Sequence, residues 1–211
     1  MILCILGRQP ELGLTELESL YPGKVTRFGS EAALVNIDRL DIQNLGGSQK
    51  AARVVYNLYN AKISEISHKI IDSYSKRAIR KDLSKLTIGI SAYNTNIKTT
   101  QIKKIGATIK FNAKKLDGTV RIIPNNDPVL NTATSHHNKL GLRENKKEII
   151  IIQHNSRTII AESIGAQNIT ALAKRDQTRP KRDAFVGMLP PKLALMMYNM
   201  AIGKSQSILN K

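Results

Sequence analysis

Lysines at helical spacing are the first candidates for chemistry in this chain. Residues 99–116 are predicted to form a helix in which Lys103, Lys110 and Lys114 follow at i, i+7 and i+11, so they share one face. That face contains no acidic residue. Ammonium groups bind phosphate oxygens through charge-assisted hydrogen bonds, so the spacing predicts contacts with a nucleic-acid backbone. An ordinary solvated face is the alternative.

A second group of donors follows along the chain. Arg121 lies inside a predicted strand at residues 119–123, and after a turn at 125–128 a run of small residues opens into a polar helix. Small residues at a helix start let a ligand approach the backbone, whose free N–H groups attract phosphate. The side-chain donors added at this point are His137, Asn138 and Lys139.

Motifs for catalysis and for metal binding are missing from the sequence. No glycine-rich cofactor turn, P-loop or nucleophile motif occurs. His136 and His137 are adjacent and point to different sides of a helix, with no Asp, Glu or Cys at ligand spacing. Cys4, the single cysteine, excludes an internal disulfide and lies in an apolar run typical of a core. We therefore expect neither a metal nor a cofactor in this chain.

The charge of the chain is distributed unevenly. Its 33 Lys and Arg against 16 Asp and Glu give a net charge of +17 at pH 7. Residues 1–48 contain four basic and six acidic side chains, whereas residues 49–211 contain 29 and ten. A basic region beside a near-neutral head is typical of a protein that binds a polyanion, most often nucleic acid. A basic protein without such a partner is the alternative.

The remaining composition narrows the partner and the mode of binding. Six Tyr, three Phe and no Trp disfavour base stacking along an open single strand and favour recognition of RNA backbone and shape. The one strongly apolar helix is too short to span a membrane, and no signal peptide is visible. We therefore expect a cytoplasmic protein with no membrane partner.

The pattern of apolar residues that must position these side chains predicts an α+β fold. The first part suggests a small ferredoxin-like half domain, with elements at residues 2–6, 11–20, 24–28, 32–37 and 38–45 in the order strand, helix, strand, strand, helix. A further helix is predicted at 48–59. The second part has helices at 64–81 and 99–116, strands at 86–93 and 119–123, and a hairpin of 148–153 with 158–164.

The last fifth of the chain has two halves of different character. Residues 174–183 carry five basic and two acidic side chains around Pro180, which is typical of a semi-rigid basic linker. Residues 186–203 predict a helix with Pro190 and Pro191 in its first turn and an apolar surface around most of its circumference. Such a helix requires burial on several sides, so we expect it to be mobile or to pack against a neighbouring copy.

The same stretch carries a resemblance to a known family. Its signature consists of Arg175-Asp176 and of the run from Arg179 to Ala194, RPKRDAFVGMLPPKLA. The run resembles the start of the catalytic domain in THUMP-containing tRNA guanosine-N2 methyltransferases. In that family a strand and a DPFCGTG motif, which holds S-adenosylmethionine, follow this start, and an Asp-Pro-Pro-Tyr type motif completes the catalytic site. Neither motif is present here.

The resemblance implies that the chain is the RNA-binding half of such an enzyme. The implied domains are an N-terminal ferredoxin-like domain at residues 1–60, a THUMP domain at 61–165, a basic linker at 166–185, and the first helix of an absent methyltransferase domain at 186–211. S-adenosylmethionine is then expected only in a full-length parent, and whether this chain is itself an enzyme stays open.

The implied partners are tRNA, held by its acceptor stem and 3′ end, and a methyltransferase domain in cis or in trans. The resemblance also implies that the cationic segments meet on one face around the 3′ end. The RNA contacts we expect are Lys103, Lys110, Lys114, Arg121, His137, Asn138, Lys139, Arg175, Arg179, Lys181 and Arg182. Two other functions stay open: a stand-alone, non-enzymatic tRNA-binding adaptor, and a general basic DNA-associated protein.

Overall fold

The computed structural model describes residues 1–79, 85–179 and 187–209, with side chains described as far as residue 203. In chain order the elements are β1 (Ile2–Leu6), α1 (Pro10–Leu20), β2 (Val25–Phe28), β3 (Ala32–Val35), a 3-10 turn (Ile42–Asn44), β4 (Ser48–Tyr59), α2 (Ile63–Arg77), β5 (Leu86–Tyr93), α3 (Thr99–Lys115), β6 (Val120–Ile122), α4 (Thr132–His137), β7 (Lys146–His154), β8 (Arg157–Ala166), α5 (Ile169–Gln177) and α6 (Pro191–Leu209). The predicted α+β class is confirmed. The chain divides into two compact units, Met1–Ala51 with Ala166–Lys211, and Ala52–Gly165.

The first unit is built on three antiparallel strands and the beginning of β4. Strand β3 lies between β2 and β1, with Val35 opposite both Val25 and Ile2. Every residue of β1 is buried, as its apolar run predicts. Burial also raises the pKa of the Cys4 thiol to about 12, so Cys4 is a core residue, as predicted.

Two predicted helices of the first unit are not formed. Residues 48–59 form strand β4, and residues 38–45 contain only the 3-10 turn Ile42–Asn44. From Arg53 to Tyr59 exposure alternates along β4 with a period of two, which is the period of a strand. The β-branched and aromatic residues in RVVYNLY favour that conformation over a helix.

The second unit has a mixed sheet in the order β4-β8-β7-β5-β6. Strand β5 is parallel to both β6 and β7, and the crossover from β5 to β6 runs through α3. Strands β7 and β8 form an antiparallel hairpin, which confirms the predicted hairpin at this position.

The two faces of this sheet are covered differently. Because side chains alternate along a strand, Ile88 and Ile90 face the isoleucines of α2 and α3, in one hydrophobic cluster. Gly89 and Ser91 face the other way. A Cβ on Gly89 would lie 2.6 Å from Leu130 Cδ1 and 3.0 Å from Leu140 Cδ1, so the segment around α4 lies close against that second face. Helix α3 and helix α4 therefore cover opposite faces of the sheet.

Helix α6 is fastened to α1 by a buried carboxylate. Glu16 on α1 is fully buried, and its two oxygens accept from Gly46 N and Gly47 N, each at 2.8 Å. Asn199 of α6 donates to Glu16 Oε1 at 2.6 Å and to Asn44 O at 2.7 Å. A Cβ on Gly47 would lie 2.4 Å from Gly13 Cα, so only glycine permits this close approach.

The expectation that this C-terminal helix is mobile or packs against a neighbouring copy is therefore wrong for its inner face. Helix α6 packs along α1 of the same unit, and Met196 is buried there. Its outer face remains open, since Met197 and Tyr198 are 52% and 62% exposed. A surface of this kind commonly contacts another protein or domain.

The predicted linker at residues 166–185 contains a helix. Helix α5 begins where Asn168 Oδ1 accepts from Ala171 N at 2.9 Å, which is a standard N-terminal cap. The assignment of the chain to four domains and the ferredoxin-like detail stay predictions. Within the described residues, no helix combines the length and the apolar character that crossing a membrane requires.

We predict that Glu16→Gln destabilises the fold by about 1–3 kcal/mol. The glutamine has one acceptor oxygen, which can serve only one of the two backbone N–H groups, and its amide N–H groups would face the second backbone N–H. Urea unfolding followed by circular dichroism measures the loss as a lower midpoint at an unchanged slope. Glu18→Gln, on the exposed side of the same helix, is the matched control and should change little. Equal midpoints for the two variants would contradict the prediction.

Candidate nucleic-acid interface

Helix α3 turns a row of lysines to solvent. Its apolar stripe, which includes Ile102, Ile105 and Ile109, is buried against the sheet, so the opposite side of the helix is exposed. The exposed lysines are Lys103, Lys104, Lys110, Lys114 and Lys115, and α3 contains no acidic residue. Among the described residues, none of the five forms a salt bridge, although Lys115 Nζ lies 4.4 Å from the ring centre of Phe111. The predicted lysine face is therefore formed.

Arg121 lies on β6, the edge strand of the sheet, opposite Thr87 of β5. Val120 and Ile122 belong to the cluster around α3, so Arg121 points to the other face of the sheet. Its side chain is exposed. Arg121 is therefore available for a ligand on the same side of the sheet as α4.

The end of α4 uses its polar residues to close the helix. Asn138 is the C-cap, and its Nδ2 donates to Thr134 O at 2.9 Å. Lys139 adopts a left-handed conformation, with φ of +57°, and its exposed side chain leaves the helix end. His137 is exposed as well. Asn138 thus has a structural contact of its own, while His137 and Lys139 face solvent.

The predicted residues of the second unit fall into two groups. Lys103, Lys110 and Lys114 lie on the helical layer at one face of the sheet, whereas Arg121 and residues 137–139 lie at the opposite face. The structure therefore does not bring the three cationic segments together on one face. Whether each side chain contacts RNA stays a prediction.

The predicted basic residues of the first unit differ in exposure and in their hydrogen bonds to the protein. Arg175 is exposed on α5. Arg179 donates through Nη2 to Asp176 Oδ1 at 2.6 Å and to Leu189 O at 2.7 Å, so it fastens the segment before α6 to the end of α5. Lys181 and Arg182 lie outside the described residues.

A buried acid that the sequence analysis missed holds α4 on the sheet. The Glu148 carboxylate on β7 is 1% exposed and accepts from Ser91 Oγ and Ser135 Oγ, each at 2.6 Å. Ser91 Oγ in turn accepts from Leu130 N at 2.9 Å. The sequence contains a signal for this acid, because Glu148 directly precedes four isoleucines and shares the strand alternation of the buried Ile150.

The adjacent histidines of α4 turn their rings apart. The rings of His136 and His137 lie 5.5 Å apart at 59°, and in the described part of the chain no group of three or more His, Cys, Asp or Glu could hold an ion. Burial, with a smaller contribution from the charge of His137, lowers the pKa of His136. His136 is half-buried, whereas His137 is exposed.

We predict that Glu148→Gln destabilises the second unit by about 1–3 kcal/mol, because one of the two serine hydroxyls loses its acceptor in a buried site. Amide exchange at Leu130 and Ser135 should also accelerate, since these residues hold α4 on the sheet. Asp127→Asn, an exposed change in the loop before α4, is the control. Unchanged exchange at both amides would show that the carboxylate does not hold the helix.

No family model and no curated protein matches the sequence. The match to TrmN from Thermus thermophilus covers 95% of this chain and 54% of TrmN, with a TM-score of 0.51 and 10% sequence identity. The match to PH1313 from Pyrococcus horikoshii covers 79% of this chain and 56% of PH1313, with a TM-score of 0.44 and 13% sequence identity. The match to a 4-thiouridine synthetase, solved in complex with RNA and ATP, covers 76% of this chain and 40% of the synthetase. Its TM-score is 0.43 and its sequence identity is 10%.

This chain therefore spans about half the length of TrmN and of PH1313. At 10% identity the likeness to TrmN concerns the fold alone, and over the matched part the two chains share a fold.

Proposed function

We propose that this chain is a THUMP-type tRNA-binding module that acts in the cytoplasm. The observation that carries the proposal is the face of α3, where five lysines are exposed and no acid accompanies them. In the described residues these lysines have no salt-bridge partner, so their charge is available to phosphates. Arg121, on the other face of the same sheet, adds a guanidinium that can hold a phosphate in two hydrogen bonds.

Two further observations support this assignment. The fold is shared with part of TrmN. The run from Gly187 to Ala194, GMLPPKLA, resembles the start of the catalytic domain in THUMP-containing tRNA guanosine-N2 methyltransferases, and its Pro191 is the first residue of α6. A fold alone does not define a function, so the proposal depends on the residues of α3 and on this motif.

The module would grip the acceptor stem and 3′ end of tRNA and so present a distant guanosine to a methyltransferase domain in cis or in trans. We expect this chain by itself to hold no S-adenosylmethionine, because its sequence has no glycine-rich cofactor turn. The crossover from β5 to α3 turns through Asn94 to Lys98 without a glycine, whereas a nucleotide-type cofactor needs close approach of the backbone at that turn. We therefore assign the cofactor, and the methyl transfer itself, to the methyltransferase domain.

We predict that the chain binds tRNA in preference to duplex DNA and that alanine at Lys103, Lys110 and Lys114 weakens binding. Each lost phosphate contact should reduce the slope of log K against log salt by roughly one. Filter binding at several salt concentrations, with duplex DNA as competitor, measures both effects. Lys24→Ala, an exposed lysine of the first unit, is the control.

Competition by duplex DNA equal to that by tRNA would instead favour a general DNA-associated protein. A salt slope unchanged in the triple variant would mean that the α3 face is only solvated.

We predict a different behaviour for Arg121. If it holds the unpaired 3′ end, Arg121→Ala should cost about 1–3 kcal/mol on intact tRNA and little on tRNA trimmed of its 3′ tail. Binding of wild type and variant to both RNAs gives the comparison. Equal losses on intact and trimmed tRNA would show that Arg121 is an ordinary phosphate contact or a structural residue.

A further inference from the structure

A groove of about 590 Å³ lies in the first unit, between the start of α1 and the start of α6. Its lining includes two cations, two consecutive glycines before β4 and two apolar residues of α6: Arg8, Lys192, Gly46, Gly47, Leu193 and Met196. None of the residues predicted from the sequence to bind RNA lines it. We refer to it as the Arg8–Lys192 groove.

The two cations of this groove have no acidic partner among the described residues. Arg8 is exposed and Lys192 is half-buried, and neither forms a salt bridge there. Burial, followed by the nearby charge of Arg8, lowers the pKa of Lys192. Because both cations line the same groove, a bound anion would be attracted by both of them.

The nearest acids of α1 are engaged elsewhere. Glu11, in the first turn of α1, binds Arg27, whose Nη1 donates to Glu11 Oε2 at 2.9 Å. Glu16 lies beneath the glycines and accepts from Gly46 N, Gly47 N and Asn199. Neither carboxylate lines the groove. Arg8 and Lys192 thus have no ion-pair partner within the described part of the chain, and the Glu16 carboxylate is separated from the groove by the two glycines.

The backbone adds to this positive potential. Helices α1 and α6, of 11 and 19 residues, both begin beside the groove. Their first residues, Pro10 and Pro191, have no N–H, but the other first-turn N–H groups of a helix have no partner within it. The side chain of Gln9, the N-cap of α1, makes no cap hydrogen bond. The positive ends of two helix dipoles therefore lie at the same groove as the two cations.

We propose that the Arg8–Lys192 groove binds a phosphate of the RNA backbone. Arg8 contributes a guanidinium fork, Lys192 a point charge from the start of α6, and the helix starts contribute N–H donors. The proposal rests on the tRNA-binding function proposed above and adds a second cationic region of the first unit to the RNA-binding surface. Because Lys192 lies on α6, it also gives that helix a direct role in binding.

The test uses the full chain with an acceptor-stem RNA that carries a single-stranded 3′ end. Affinity is measured over a range of salt for Arg8→Gln, Lys192→Gln and the double variant. The matched controls are Arg39→Gln and Lys24→Gln, two exposed cations of the same unit outside the groove. We expect each groove variant to lower the salt slope by about one, and the double variant by about two, with thermal unfolding unchanged. Slopes equal to those of the controls would overturn the proposal.

A second measurement distinguishes binding of an RNA phosphate from binding of a free phosphate compound. It also tests the groove independently of the tRNA-binding function. Inorganic phosphate is titrated into wild type and the double variant while backbone amide NMR shifts are followed at Gly47, Lys192 and Leu193. We expect saturable shifts in wild type that are absent in the double variant. Shifts without any change in the RNA salt slope would mean that the groove takes a free phosphate compound, against the RNA assignment.

If wild type did not bind RNA at all, the tRNA-binding function would fail, while the phosphate titration would still decide whether the groove binds phosphate. Absence of shifts in wild type would exclude a phosphate site.

Discussion

The first unit depends on the burial of one charge. Glu16 is removed from water, and a buried carboxylate is tolerated only where hydrogen-bond donors meet it. Its donors come from the backbone of Gly46 and Gly47 and from the side chain of Asn199. One group therefore joins α1, the turn before β4 and α6. Hydrophobic packing has no direction of its own, so this polar contact helps to set the register of an otherwise apolar helix, together with the close approach of Gly203 to Ser19.

The second unit uses a buried acid in the same way. Glu148 joins β7 to Ser91 of β5 and to Ser135 of α4 through two hydroxyls. The α4 segment is thereby held on one face of the sheet, while the isoleucines of α3 cover the other. Each unit thus contains an internal carboxylate that joins elements distant in the chain.

The division of the sheet into two faces has a consequence for recognition of a polyanion. The lysines of α3 lie on one side, whereas the end of α4 and the Arg121 side chain, on the edge strand β6, lie on the other. An RNA that contacted both groups would have to pass the edge at β6. The Arg8–Lys192 groove adds a cationic site in the first unit that needs neither of these surfaces.

Much of this architecture and part of the site could be predicted from the sequence. The α+β class, strand β1, helix α3 with its lysine face and the β7–β8 hairpin all follow from periodicities that involve residues a few positions apart. The same local patterns misassigned residues 48–59, where strand pairing prevailed over a helical interpretation.

Tertiary structure alone decided where α6 packs and which candidates share a face. Glu16 and Asn199 are 183 residues apart in the chain, and Ser91 and Glu148 are 57 apart. No local pattern encodes such pairs, because a buried acid is matched by whichever donors the completed fold brings to it.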